Sequence, residues 1–296
     1  MSKYLADRSD GPRSLRELLA SGQPVLAPGV YDALGARLVE EAGFEAVYMT
    51  GFGTAAAELG RPDVGLLTMS EMVDNARAIA RACTLPVIAD ADTGYGNAVN
   101  VVRTVQEFEQ AGVAAIHLED QVSPKRCGHL EGKQVVPMDE MLSKIRAATA
   151  ARTRPEFVLI ARTDAAAVEG MAAAIDRARR YRDAGADVLF VEAATSEADI
   201  ERIASDLSDV PLLFNWAEGG KTPPVSYDRL QELGFAIIIF PLTTLLTAVT
   251  AIRRALTQLK SSGTPADLLD DMTSFHDFVE FIGLGEIHDL ERQFTD

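Results

Sequence analysis

Two aspartates two residues apart open the phrase Asp90-Ala91-Asp92-Thr93-Gly94-Tyr95-Gly96, directly after a short apolar run. A third carboxylate, Glu119, ends the next such run in His117-Leu118-Glu119-Asp120-Gln121. Residues i and i+2 of a strand share a face, so Asp90 and Asp92 are expected side by side, with Glu119 on the neighbouring strand. Unpaired, such carboxylates repel and raise one another's pKa. A hard divalent cation resolves the conflict, and all-oxygen ligands with room for water suit Mg²⁺, with Mn²⁺ as the alternative. The purely structural account has Asp90 capping the following helix and Asp92 paired with Arg162.

A thiol lies in Lys125-Arg126-Cys127-Gly128-His129, between two cations and an imidazole. Those neighbours lower a thiol's pKa and suit it to acid, base or nucleophilic work. The plain alternative is a solvated basic loop with an incidental cysteine. Zinc fits poorly, because Cys127 and His129 have no second ligand pair nearby. Arg162 follows the apolar run Phe157–Ala161. A buried arginine needs an anion, either a substrate carboxylate held bidentately or Glu192. The stretch Glu218-Gly219-Gly220-Lys221-Thr222-Pro223 either offers backbone N–H groups to an anion or is a surface turn.

The elements that must position these groups recur along the chain. Apolar runs stand at Pro24–Leu26, Ala46–Met49, Pro86–Ala89, Ala114–Leu118, Phe157–Ala161, Val188–Val191, Pro211–Phe214 and Ala236–Phe240. Helical patterns follow most of them: Asp32–Ala42, Glu71–Ala82, Asn97–Ala111, Met138–Arg152, Gly170–Ala184, Glu197–Leu207 and Ser226–Leu233. Glycine ends several of these helices, as in Ala111-Gly112-Val113 and Ala184-Gly185-Ala186. Strands alternating with helices predict a parallel sheet, and eight such units in roughly 250 residues predict an α/β fold of the (β/α)8 barrel type. A doubly wound open sheet is the alternative, but no Gly-x-Gly-x-x-Gly turn follows the first strand. Barrels carry their chemistry at the C-terminal strand ends. There stand Tyr48-Met49-Thr50-Gly51-Phe52-Gly53 at the end of the second run, Glu192 after the sixth and Asn215 after the seventh. The long loop after the fourth strand has the character of a lid.

One domain is expected over residues 1–296, with a helical tail from about 247 to 296 that packs across the barrel or on a neighbouring subunit, giving a homo-oligomer. His276 and His288 fall in this tail and are assigned to packing or solubility. Cys83, at a helix-to-strand turn on the opposite end of the barrel, is expected to be a small buried residue. Hydrophobic residues make up 47% of the 296, enough for a sizeable core. The net charge of −16 repels phosphate backbones and anionic membranes, which excludes nucleic acid and membranes as partners. Two cysteines, a polar stretch from Met1 to Glu17 and no long apolar segment predict a reduced, cytoplasmic setting.

Taken together, these phrases resemble the isocitrate lyase / phosphoenolpyruvate mutase superfamily from about Pro28 to Phe294. The carriers are Asp90 to Gly96, Glu119-Asp120-Gln121, Lys125 to His129, Arg162-Thr163-Asp164-Ala165 and Glu218 to Pro223. The resemblance implies a (β/α)8 TIM barrel with C-terminal helices swapped between subunits, in homodimers or homotetramers. It implies Mg²⁺ held by Asp90 and Asp92, partly through water, with Asp63 and Glu119 nearby. It implies that Thr50, Gly51 and Phe52 receive the substrate's pyruvyl-type oxygens and that Arg162, Glu192 and Asn215 contact substrate. Cys127 matches the acid/base thiol on the gating loop of the lyases, the branch that takes in 2-methylisocitrate and dimethylmalate lyases.

The expected chemistry is retro-aldol or retro-Claisen cleavage of a small anionic 2-hydroxy or 2-oxo di- or tricarboxylic acid. Mg²⁺ and Arg162 bind the oxygenated carboxylate, and Tyr48 or a metal-polarised water takes the hydroxyl proton. Lys125, Arg126 and His129, with Gly128 between them, neutralise the second carboxylate, and Cys127 protonates the carbanion. Two rivals remain: a carboxyphosphonoenolpyruvate-type phosphonomutase using the same site, and a catalytically silent binding or scaffold barrel. Phe52 and Trp216 depart from the residues usual at their positions and reshape the pocket.

Overall fold

The fold was obtained as a computed structural model that describes residues 14–295. Eight parallel strands close into a barrel: β1 (Val25–Val30), β2 (Val47–Met49), β3 (Val87–Asp90), β4 (Ala115–Glu119), β5 (Val158–Thr163), β6 (Val188–Val191), β7 (Leu212–Asn215) and β8 (Phe235–Phe240). Each pairs with the next, and β8 returns to β1 with Leu26 opposite Ile238. The apolar runs locate all eight. They understate several C-terminal ends, because the ladder continues through polar residues such as Glu119, which pairs in register with Arg162.

Alternation along each strand separates two cores. Val47, Met49, Ile116, Leu118, Leu159, Ala161, Leu189 and Ile238 face the surrounding helices. Val25, Ala27, Tyr48, Ile88, Ala115, Ile160, Phe190, Leu213 and Ile239 fill the barrel. The outer helices that sequence periodicity anticipates appear at 33–41, 69–82, 98–111, 138–151, 171–183, 197–206 and 227–232.

Two helices arise where none was expected. The first, α1 (Leu15–Ala20), is a six-residue helix in a charged stretch. It is held by a reciprocal Ser14/Glu17 capping box and buries Leu15 and Leu18. The second, at Gly51–Leu59, follows β2 directly, and we call it α3 since the 33–41 helix, α2, precedes it. Its two early glycines read as loop, yet Thr50 caps it by accepting from Gly53 N at 3.2 Å.

The compact barrel unit runs to Leu245. From Leu246 onward the chain forms a second compact unit. It holds most of the helix Thr243–Ser262, a 3₁₀ turn at 266–271, and helices at 275–281 and 284–295. Arg254 pairs with Asp271 at 2.7 Å within it. Among the described residues no helix is long and apolar enough to cross a membrane. Cys83 is buried, as expected.

Phe108, on the 98–111 helix, is fully buried in the outer core. Phe108→Ala should therefore cost about 3–5 kcal/mol. Urea denaturation measures this directly, and a loss below about 1 kcal/mol would show that the interface collapses around the cavity.

Candidate active site

The same alternation builds the site. The interior position after Tyr48 is Thr50, after Ile88 it is Asp90, and after His117 it is Glu119. After Ile160 it is Arg162, after Phe190 Glu192 and after Leu213 Asn215. Tyr48, Ile88, His117, Ile160, Phe190 and Leu213 thus lie inside the barrel, and the next inward residue at the end of each of these six strands is polar. All of these polar groups are buried except Asn215, which is half-buried. Except for Glu119, they end in a pocket of about 50 Å³. It is lined by Tyr48, Thr50, Phe52, Asp63, Asp90, Lys125, Cys127, Gly128, His129, Arg162, Glu192 and Asn215, with Ala217, Pro241 and Leu242 as an apolar wall. Among the candidates, Gly51, Asp92, Glu119 and Arg126 do not line it. Gly51 sits just behind, where a Cβ would collide with the Asp90 carboxylate. Arg126 is exposed and donates to the Glu131 carbonyl at 3.0 Å, which corrects its expected place beside the substrate.

The proximity of Asp90 and Asp92 has a different origin from the one expected. The strand ends at Asp90, and Asp92 lies beyond it in a left-handed turn with φ 47°. A turn, rather than a shared strand face, brings them together, and Asp92 N donates to Asp90 Oδ1 at 2.9 Å. Asn97, not Asp90, caps the following helix. Asp92 pairs with Lys125 at 2.6 Å rather than with Arg162, and the same ammonium reaches Asp63 at 2.8 Å. Arg162 meets Asp164 at 2.9 Å, Glu192 at 3.2 Å and Glu119 at 3.3 Å, and lies over the Phe190 ring at 5.1 Å. Arg162 is thus paired with Glu192, as the internal account expects, and it also lines the pocket.

Burial sets the electrostatics. It pushes Asp92 up to about 6, helped by Asp90 and Asp63 and opposed by Lys125. It pushes Glu119 well above the carboxylate range, against Arg162 and Lys125. Asp90 stays below its ordinary value because His117, Lys125 and Arg162 outweigh its burial. Glu119 Oε1 is buried without a hydrogen-bond partner. Among the described residues no three His, Cys, Asp or Glu side chains converge into a metal cage. The donor set instead fits a cation of the Mg²⁺ type, which binds through one or two carboxylates, retains several waters and takes substrate oxygens. The under-neutralised Asp92 and Glu119 are what such a cation would satisfy.

At Cys127 the expected lowering of the thiol's pKa is corrected. Burial pushes its pKa up, opposed chiefly by the His129 backbone. Neither flanking cation neutralises it, since Lys125 is committed to Asp63 and Asp92 and Arg126 faces outward. The group is therefore a protonated thiol, suited to acid work. Tyr48 behaves alike: burial raises its phenol well above the ordinary value, and its hydroxyl lies 2.9 Å from His117 Nε2. A phenol so shifted is a hydrogen-bond donor at neutral pH, which favours the other candidate base, a water, over Tyr48. His129 Nδ1 accepts from Lys221 N at 3.0 Å, so the 218–223 loop spends that N–H on the imidazole rather than on an anion. Glu218 accepts from Leu242 N at 3.0 Å, at the start of the 243–262 helix.

Sequence reasoning left three residues unassigned. His117 is fully buried between Tyr48 and Asp90, and burial lowers it to about 4. Its phase, two residues before Glu119, was the available signal. Asp164 and Lys133 form a buried pair at 2.7 Å, and nothing in their 31-residue separation announces it.

Comparisons with known proteins place the chain in a family. The phosphoenolpyruvate phosphomutase family matches residues 15–260. A 2,3-dimethylmalate lyase of Eubacterium barkeri is 46% identical over 281 residues, covering 95% of this chain and 97% of its own. A 2-methylisocitrate lyase of Aeropyrum pernix is 44% identical, covering 94% and 88%. A solved 2,3-dimethylmalate lyase, described as a PEP mutase/isocitrate lyase superfamily member, overlays with a TM-score of 0.90 at 44% identity, over 95% of this chain and 94% of that one. On sequence and barrel together, the chain belongs to the phosphoenolpyruvate phosphomutase family, as a carbon–carbon lyase of the PEP mutase/isocitrate lyase superfamily.

Proposed function

We propose that the chain cleaves the C2–C3 bond of a small 2-hydroxy di- or tricarboxylic acid, an alkyl-substituted malate or 2-methylisocitrate, and releases a 2-oxo acid. The observation that carries this reading is the placing of Cys127, a protonated thiol, in one pocket with Arg162 and Asp90. The apolar wall of Ala217, Pro241 and Leu242, with Phe52 nearby, suits an alkyl substituent.

In this reading the substrate meets charge already in place. Its C1 carboxylate faces Arg162 and the first turn of α3, where the Gly51 and Phe52 N–H groups precede any helical acceptor. Asp90 and Asp92, with Asp63 and Glu119 beside them, are the residues that would hold Mg²⁺ or Mn²⁺, in part through water. When bound, the cation supplies polarisation of the 2-oxygen and so lowers the pKa of the substrate hydroxyl. Tyr48 donates to the same oxygen. The hydroxyl proton leaves to a neighbouring carboxylate or water, the C2–O bond becomes a carbonyl, and the C2–C3 electron pair passes to C3. The Cys127 S–H gives its proton to C3, and the proton released from the hydroxyl restores the thiol. His129 and Lys125 face the second carboxylate across Gly128. Glu192 receives Asn215 Nδ2 at 3.0 Å and pairs with Arg162, which fixes both groups. The same reading places the enzyme in a reduced cytoplasm, where Cys127 stays a thiol. It also makes the enzyme a homodimer or homotetramer in which exposed tail side chains such as Phe275 and Ile252 find cover.

A panel of 2,3-dimethylmalate, 2-methylisocitrate, citramalate and oxaloacetate, followed by mass spectrometry, tests the proposal. Release of a 2-oxo acid from an alkylated substrate is expected; turnover only of a phosphonate, seen by phosphorus-31 spectroscopy, would replace this reading. Activity should vanish on chelation with EDTA and return with Mg²⁺, and full activity in EDTA would remove the metal from the scheme. Cys127→Ser should lower kcat by about 10²–10⁴-fold with substrate binding nearly intact. Iodoacetamide labelling of Cys127 should rise with pH through a midpoint above that of an ordinary thiol, because the raised pKa keeps it protonated at neutrality.

A further inference from the structure

We propose that Lys133 is a positioning residue for this reaction: its ammonium fastens the loop that carries Cys127 to Asp164, the carboxylate that also orients Arg162. The inference rests on the roles given above to Cys127 and Arg162. The loop between β4 and the 138–151 helix contains no helix or strand, apart from a single bridge between Gln121 and Val135. Its position is therefore set by individual contacts. Before Cys127 these are the Lys125 ammonium on Asp63 and Asp92, the Gln121 carboxamide, which bonds both the Arg126 carbonyl at 2.7 Å and the Arg126 N–H at 3.0 Å, and Cys127 N, which donates to the Asp63 carbonyl at 3.2 Å.

After Cys127 the chain is held differently. Lys133, with only 3% of its side chain exposed, reaches Asp164 Oδ1 at 2.7 Å and also donates to the Gly128 carbonyl. On its other side Gly128 presses against Arg162 and Glu192. A Cβ there would lie 2.5 Å from Arg162 Nη2 and 2.7 Å from Glu192 Cγ. The peptide next to Cys127 is thus clamped between the Lys133 ammonium and the floor of the pocket. Asp164 accepts from Arg162 Nε at 2.9 Å and Nη2 at 3.2 Å, so one carboxylate fixes both the loop and the guanidinium.

The anchor is rigid. Asp164 N donates to Asp120 Oδ1 at 2.9 Å, and Asp120 Oδ2 accepts from the Thr163 and Tyr181 hydroxyls at 2.7 Å each. A buried, fully bonded carboxylate of this kind transmits position rather than absorbing it. Removing the ammonium frees the Gly128 peptide, while Arg162 keeps Asp164, Glu192 and Glu119 as partners. The thiol then loses its register with the pocket.

The test uses the full-length protein in a Cys83→Ser background, so that Cys127 is the only thiol. Lys133→Met should raise the rate of Cys127 alkylation without substrate by about tenfold or more, as the loop opens. It should also lower kcat by roughly a hundredfold while KM changes little. A purely structural lysine would lower the melting temperature and leave both readouts alone. If Lys133→Met does not fold, Lys133→Gln, which keeps a donor but loses the charge, is read by the same criteria. Unchanged alkylation in a folded variant overturns the latch. A wild-type enzyme inactive on every acid of the panel overturns the proposed function instead, while the alkylation rates still report on the loop.

Discussion

A carboxylate taken out of water must be matched by a cation, a proton or a dense set of hydrogen bonds. The mouth of this barrel gathers six of them: Asp63, Asp90, Asp92, Glu119, Asp164 and Glu192. The cations buried among them are Lys125, Lys133 and Arg162. The deficit falls on particular groups. Asp164 takes the best share of positive charge and is held well below the carboxylate range by Arg162 and Lys133 despite its burial. Asp92 and Glu119 are left with raised pKa values. The place where negative charge is least compensated is where a divalent cation would be most strongly attracted.

The same charges organise the backbone. Lys125 draws the start of the loop after β4 onto Asp63 and Asp92, Lys133 draws its end onto Asp164, and Cys127 lies between the two anchors. That loop has no ladder or helix of its own to hold it, so ion pairs with rigid strand ends take over that work. Behind them, Asp120, Thr163, Arg177 and Tyr181 form a second buried polar layer that fixes β4 against β5. Such layers tie the direction of a functional side chain to the packing of the whole barrel.

How far the sequence could be read depended on how local the physics was. Eight strands were legible because each is a short apolar run between turn signals, and Val188–Val191 has the same limits in the chain and in the fold. Polar residues at strand ends were legible as a site because a barrel places those ends on one rim. The short helices α1 and α3 were not, because capping by Ser14, Glu17 and Thr50 outweighs a weak periodic signal. Charge was least legible. The neighbours of Cys127 in the chain suggested an acidic thiol, whereas in space its flanking cations serve other partners and burial dominates.

The sequence by itself determined the number and order of strands, the phase that turns Asp90, Glu119, Arg162 and Glu192 inward, and the chemical types at the rim. Periodicity and residue type are properties of neighbours along the chain, so one dimension suffices for them. Only the tertiary structure decided which charge meets which. The pairing of Lys133 with Asp164, of Lys125 with Asp63 across 62 residues, and the neutral states of His117 and Tyr48 depend on distances between strands and on exclusion of water. Those quantities exist once the barrel has closed, and they set the protonation states on which the chemistry depends.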